Sequence, residues 1–286
     1  MNSEAALDTG VVAGEPAAIQ EPSCLSYASD DIGALRSLAI WAVEQLSGQR
    51  HIKRLYDRRA ERGRPAELFW QDAIEGLELD LVLNREPRQA IPSSGPLVIV
   101  ANHPFGVVDG LILCWMVSGV RSDFKIMTHN ALYRVPEARP HIIPVDFSGT
   151  MEALDTNIRG RRMAKAILSE GGALIVFPSG AVASSKGFFG PAVDGPWGTF
   201  AAKLMLGTGA SALPIFFAGQ NSRLSQIAAN LNPTLKLSLL FHEVRNKIGA
   251  RIAITLRDPI AIAELRSLGD QRAVTEHLRR VTLGAG

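Results

Sequence analysis

Cysteine is nearly absent from this chain: Cys24 and Cys114 are the two among 286 residues. They provide no disulfide framework and fit a reducing compartment. Aromatic residues make up 6% of the chain, the formal net charge is +2, and no nucleic-acid-binding motif is present. Together these argue against nucleic acid as a partner. No run is long and apolar enough to span a membrane. The stretches around 97–117 and 204–218 are interrupted by Asn102, His103 and Asp109, and by Gly207, Gly209 and Pro214. Met1 to Ser29 is acidic, rich in small residues and without a continuous apolar core, so no targeting segment is expected there. No internal repeat is visible, and no His or Cys stands at metal-ligand spacing around the polar motif described below, so no metal is expected.

What is abundant is apolar sequence, 47% of the residues, enough for a large core. Hydrophobic patterning predicts strands near 97–101, 124–128, 173–177, 211–217, 235–241 and 251–257. Helices are predicted near 32–47, 51–62, 110–118, 157–170, 197–208 and 261–281. Asn157 is the expected N-cap of the fourth helix and Gly171-Gly172 its stop. Alternation of the two element types implies an α/β fold, a mixed, largely parallel sheet covered by helices, with an N-terminal helical extension. The expected organisation is a disordered tail over 1–30, amphipathic helices over 31–80 and one α/β domain over 81–286.

The most informative segment is Ala101-Asn102-His103-Pro104-Phe105-Gly106-Val107-Val108-Asp109-Gly110, directly after the apolar run Leu97 to Val100. A buried strand fixes the loop that follows it, and that loop can bring His103 and Asp109 within hydrogen-bond reach. A neutral imidazole can then accept a proton from an attacking hydroxyl while the carboxylate orients the ring and stabilises the imidazolium. The plain structural alternative makes Asp109 a helix N-cap and His103 a satisfied core residue. A second apolar strand, Ala173 to Phe177, ends in Pro178-Ser179-Gly180. That turn can offer backbone N–H groups to an oxyanion or headgroup. No Gly-x-Ser-x-Gly elbow surrounds Ser179, which argues against a serine hydrolase.

The Asn-His-(spacer)-Asp block, the Phe-Pro-Ser-Gly block and the later Ala212-Leu213-Pro214-Ile215-Phe216-Phe217 block resemble, in order and spacing over about residues 95–220, the glycerolipid or lysophospholipid acyltransferase family. The wording His-Pro-Phe-Gly-Val-Val-Asp-Gly, with Gly219-Gln220-Asn221-Ser222-Arg223 and Phe241-His242-Glu243-Val244-Arg245-Asn246-Lys247, resembles its hemolysin-like or lyso-ornithine-lipid branch. The resemblance implies transfer of a fatty acyl group from an acyl-carrier-protein or coenzyme A thioester to a lysolipid hydroxyl, with no other cofactor. His103 and Asp109 would be the catalytic pair. Asn102, Pro104, Gly106, Phe177, Pro178, Ser179, Gly180, Lys186, Asn221 and Arg223 would be substrate-binding. It also implies a cytoplasmic location, peripheral at the inner face of a membrane.

Two departures from the family pattern bear on this. Five residues separate His103 from Asp109 where the familiar block has four, and Gly106 can absorb the extra one through a backbone conformation open to glycine. Where the family reads Phe-Pro-Glu-Gly-Thr-Arg, this chain has Ser179, Ala181 and Val182, so a lyso-aminolipid acceptor stands beside lysophosphatidate. Two other readings compete: a thioesterase or lipid hydrolase using the same His–Asp pair, and a non-catalytic lipid-binding, hemolysin-like protein.

Seven Lys or Arg residues lie between Arg50 and Arg64, directly after the apolar segment Leu35 to Val43. They fit either attraction to anionic lipid or a solvated helix face above a packed one. Phe177, Phe188, Phe189 and Trp197 are expected to line an acyl groove, and Arg134, Arg139 and His141 to approach phosphate. Met151 and Met163 are read as core.

Overall fold

The computed structural model describes residues 49–129, 133, 135–185, 190–222 and 240–284. The tail over 1–30 and the helix expected over 32–47 lie outside these residues. Seven strands form one sheet: β1 (Asp80–Leu83), β2 (Leu97–Ala101), β3 (Phe124–His129), β4 (Ile142–Val145), β5 (Ala173–Val176), β8 (Ser211–Phe217) and β9 (Arg251–Leu256), in the order β1-β9-β8-β2-β5-β3-β4. Every neighbouring pair is parallel except β8 with β9. Two short strands, β6 (Ser184–Ser185) and β7 (Ala192–Val193), form a separate antiparallel pair.

Strand β2 lies in the middle and is buried along its whole length, as its uninterrupted Leu-Val-Ile-Val-Ala sequence requires of a parallel strand covered on both faces. Its side chains alternate. Leu97, Ile99 and Ala101 join the core under α2 (Phe69–Gly76) and α4 (Val107–Ser118), with the one-turn α3 (Pro87–Ala90) ahead of β2. Val98 and Val100 join the opposite core under α5 (Met151–Ser169), α6 (Phe200–Thr208) and α9 (Gln271–Leu283). From β2 the chain builds β3, β4 and β5 on one side, then crosses to lay β8 on the other. Strand order therefore reverses at β2, and the carboxyl ends of strands flanking such a reversal open the crevice where α/β sheets bind ligands.

Several expected elements shift. Helix α5 begins six residues before Asn157, because Thr150 is its cap: Thr150 Oγ1 accepts a hydrogen bond from the Ala153 N–H at 3.2 Å. Asn157 instead donates to the Asp146 carbonyl at 2.7 Å and accepts from the Asp146 N–H at 2.9 Å. Of the strand expected over 235–241, residues 235–239 lie outside the described residues, and Leu240 begins a helix, α7 (Leu240–Asn246). The helix expected over 261–281 is two, α8 (Ile262–Ser267) and α9. Gly269 at φ +104° breaks the run and Asp270 caps the second piece.

The basic run forms α1 (Gln49–Glu61), which packs Ile52, Leu55 and Tyr56 against the core. Arg59 is held by Asp72 and Glu137 and Lys53 by Asp57, so part of the positive charge is engaged within the protein. Among the described residues no helix is long and apolar enough to cross a membrane.

Candidate active site

Gly106 takes φ +75°, a conformation costly for any residue with a Cβ, and turns the chain from β2 into α4. The turn places Asp109 in the first turn of the helix, facing back over the loop. Its Oδ2 lies 3.0 Å from His103 Nδ1 and accepts the backbone N–H groups of Phe105 at 2.8 Å and Gly106 at 3.0 Å. Gly106, not Asp109, is therefore the N-cap of the helix, which starts earlier than expected; Asp109 stands two residues inside its first turn, where the carboxylate accepts the cap residue's N–H while also partnering His103. The side chain is fully buried, and its Oδ1 has no partner among the described residues. Burial pushes the carboxyl above its ordinary range; the His103 hydrogen bond and charge and the two backbone N–H groups oppose this.

His103 is fixed from three further directions. Its ring stacks on Phe177 with centroids 3.8 Å apart, which joins the two sequence blocks face to face. Its carbonyl accepts the Ala183 N–H at 2.8 Å, and its own N–H donates to Asp194 Oδ1 at 3.0 Å. Asp194 Oδ2 accepts from Trp197 Nε1 at 3.0 Å, and burial raises the Asp194 carboxyl as well. Asp194 was not anticipated from sequence. It stands 91 residues from His103, and an Asp between Val193 and Gly195 in a turn-rich stretch carries no distinguishing pattern. With Nδ1 held by Asp109, Nε2 is the ring nitrogen left to face the cavity.

That cavity, about 450 Å³, lies at the carboxyl edge of β2, β3, β4 and β5. Its wall is chiefly apolar: Phe69, Trp70, Leu111, Ile126, Val135, Ile142, Val145, Phe147 and Phe200 contribute to it. His103, Gly106, Phe177, Pro178, Gly180 and Asn221 line it as well. Asn221 is buried with its Oδ1 unpaired among the described residues. Beside it Glu243 accepts from the Ser222 N–H at 3.0 Å and the Ser222 hydroxyl at 2.5 Å. His129, also on the wall, has its pKa lowered by burial.

Other sequence-nominated residues make structural contacts. Asn102 clamps β2 to β8, donating to the Phe217 carbonyl at 2.9 Å and accepting the Phe217 N–H at 2.7 Å. With Pro104 it lines a small separate cleft of about 130 Å³ beside Asp194. Ser179 donates its hydroxyl to the Ala181 carbonyl at 2.9 Å. The Gly180 N–H is bonded to the Phe177 carbonyl at 2.9 Å, closing the turn, so it is not a ready oxyanion donor. Trp197 serves Asp194 instead of an acyl groove. Arg139 lies over the Tyr133 ring, and His141 stacks on Phe124. His242 and Glu243 belong to α7, where Glu243 binds Ser222. Met151 and Met163 are exposed, not core. Lys186, Arg223, Arg134, Phe188 and Phe189 lie outside the described residues.

Comparison with known proteins agrees with the fold. The fold is similar to that of the 1-acyl-sn-glycerophosphate acyltransferase PlsC from Thermotoga maritima. The TM-score is 0.51 at 16% identity, over 87% of this chain and 95% of that one. No curated protein sequence matches. The acyltransferase family model matches residues 80–284, from the first strand of the sheet to the end of the last helix. That span is most of the chain and takes in the whole seven-stranded sheet, and the chain belongs to the acyltransferase family.

Proposed function

We propose that the protein transfers a fatty acyl group directly from a thioester, on acyl-carrier protein or coenzyme A, to the hydroxyl of a lysolipid. The observation that carries this reading is the His103–Asp109 pair at 3.0 Å, opening on an apolar cavity of about 450 Å³. His103 Nε2 accepts the proton of the acceptor hydroxyl as its oxygen attacks the thioester carbonyl. Asp109 accepts the Nδ1–H and stabilises the imidazolium. As the tetrahedral intermediate collapses, the C–S bond breaks, the thiolate takes the proton back from Nε2, and the ester remains on the lipid. The Phe105, Gly106, His103 and Gly180 N–H groups are all engaged within the protein. The Ala181 amide on the cavity wall is therefore the better candidate for the oxyanion. The acyl chain would occupy the apolar wall between Trp70, Ile126 and Phe147.

Labelled acyl groups offered on carrier protein and on coenzyme A to lysophosphatidate, other lysophospholipids and lyso-ornithine lipid test the proposal. Wild type is expected to form a diacyl product, and His103→Ala to lose at least ~10³-fold of that rate. Free fatty acid formed without any need for lysolipid would replace this reading with a thioesterase. Equal rates in the two proteins would remove the general-base mechanism.

A further inference from the structure

We propose that the N-terminal half of α5, together with Phe147, is the face that docks the protein on an anionic lipid bilayer; this rests on the reading that the acceptor is a lipid. Met151, Leu154 and Ile158 recur at three- and four-residue intervals on one face of the helix, and Met151 and Leu154 are 75% and 52% exposed. The same face continues with Arg161, Arg162 and Lys165, which are exposed and form no ion pair among the described residues. The opposite face is the buried one. Ala153, Gly160, Ala164 and Leu168 lie against the sheet, and a Cβ on Gly160 would come within 3.2 Å of Ile143 and of the Pro144 carbonyl. The apolar stripe is therefore not core turned outward, since the helix has its own core face.

Two further observations select a membrane over a protein partner. The stripe ends beside the site: Phe147, four residues before Met151, is 62% exposed and yet lines the cavity, and its ring stacks on His129 at 6.2 Å. A lipid entering the cavity from a bilayer would pass this ring. The arrangement of apolar side chains at one end and three cations farther along the same face also matches an interface. There, apolar groups sit below the headgroups and Lys or Arg side chains meet anionic lipid. The acids nearby do not cancel this charge, since Asp155 is paired with Arg159 at 2.9 Å and Glu152 lies at the flank of the stripe.

The test is co-sedimentation of the full chain with vesicles of phosphatidylcholine alone and with added phosphatidylglycerol. Compared are wild type, Met151→Gln/Leu154→Gln/Ile158→Gln and Arg161→Gln/Arg162→Gln/Lys165→Gln. Every substituted position is exposed and glutamine is a good helix former, so folding should hold. The apolar variant is expected to bind both vesicle types about tenfold or more weakly. The basic variant should lose affinity only on anionic vesicles, by about fivefold per charge and roughly a hundredfold in all, with its salt dependence flattened. Hydrogen exchange on wild type, which needs no variant, should show protection at 147–158 on adding anionic vesicles. Acyl transfer to an acceptor dissolved in detergent should be unchanged in both variants. Binding equal to wild type in both variants, or no protection at 147–158, would overturn the docking proposal. Weakened binding by the variants, beside a wild type that binds vesicles but transfers no acyl group, would uphold the docking face and reject the enzymatic reading, so the two fail separately.

Discussion

Asp109 carries two tasks that pull in opposite directions. As a cap and a partner for His103 it accepts three hydrogen bonds through one oxygen, while full burial with Oδ1 unpaired disfavours its charge. Because burial raises its pKa above the unfolded value, between those two pKa values the folded protein keeps a proton that the unfolded chain has released, and above both the carboxylate is ionised. Its contribution to stability is thus present at low pH and lost as pH rises through the raised pKa. Urea titrations at a series of pH values should therefore show Asp109→Asn gaining on wild type as pH rises from the ordinary carboxylate range toward neutrality. Turnover of the same variant should fall by ~10³-fold or more, since a neutral amide cannot stabilise the imidazolium. A variant that instead loses ground as pH rises would mean that the hydrogen bonds outweigh burial. Gly219 is a second exacting position. It stands at φ +123°, and a Cβ there would meet Phe105 Cζ at 2.8 Å. Gly219→Ala should cost about 1–3 kcal/mol in chemical denaturation and lower the rate, because the displaced Phe105 is a residue whose N–H donates to the Asp109 carboxylate.

At the scale of elements, the two edges of the sheet divide the work. The amino-terminal edge is tied by Arg121, a buried guanidinium that bonds both oxygens of Asp123, just before β3, each at 2.7 Å. It also donates to the carbonyls of Pro92 and Gly95, ahead of β2, and of Gly171, ahead of β5. Removing it leaves three carbonyls and a carboxylate without their donor. Arg121→Ala should lower the unfolding free energy by about 3 kcal/mol, read from the urea midpoint, while kcat in the folded protein stays close to wild type. A large fall in kcat would show that the two edges are coupled. The carboxyl edge carries the site, where the loop after β2 meets the turn after β5, Ala183 and Asp194. Of these elements, β2 and β8 have the boundaries expected from their apolar runs. Strand β4 escaped sequence reading because Ile142-Ile143-Pro144-Val145 follows close on Pro136 and Pro140, which read as loop. Strand β1 escaped because it is a four-residue edge strand with its side chains only half covered.

For the molecule as a whole, the sheet order brings the carboxyl ends of β2, β3, β4 and β5 together into one crevice. The cavity collects side chains from α2, α4, β3, β4 and the loops after β4, β5 and β8, so its size is a property of the assembled fold. If the acyl chain lies there, Ala138→Phe, which adds bulk at a buried wall position, should shift the acyl preference toward shorter chains in a competition among thioesters of different length. An unchanged length profile would place the chain outside this cavity.

The α/β class, the central strands, the glycine turn between His103 and Asp109 and the family resemblance were all legible in the order of residues. All of these rest on local patterning, turn chemistry or motif spacing, which act over a few residues. The sequence did not disclose Asp194 behind His103, the clamp of Asn102 on Phe217, or the engagement of the Gly180 amide. Nor did it show that Met151 faces outward. Each of these depends on which distant strands become neighbours, or on which face of a helix the sheet covers. Those choices are made by packing across tens of residues, which no local pattern encodes.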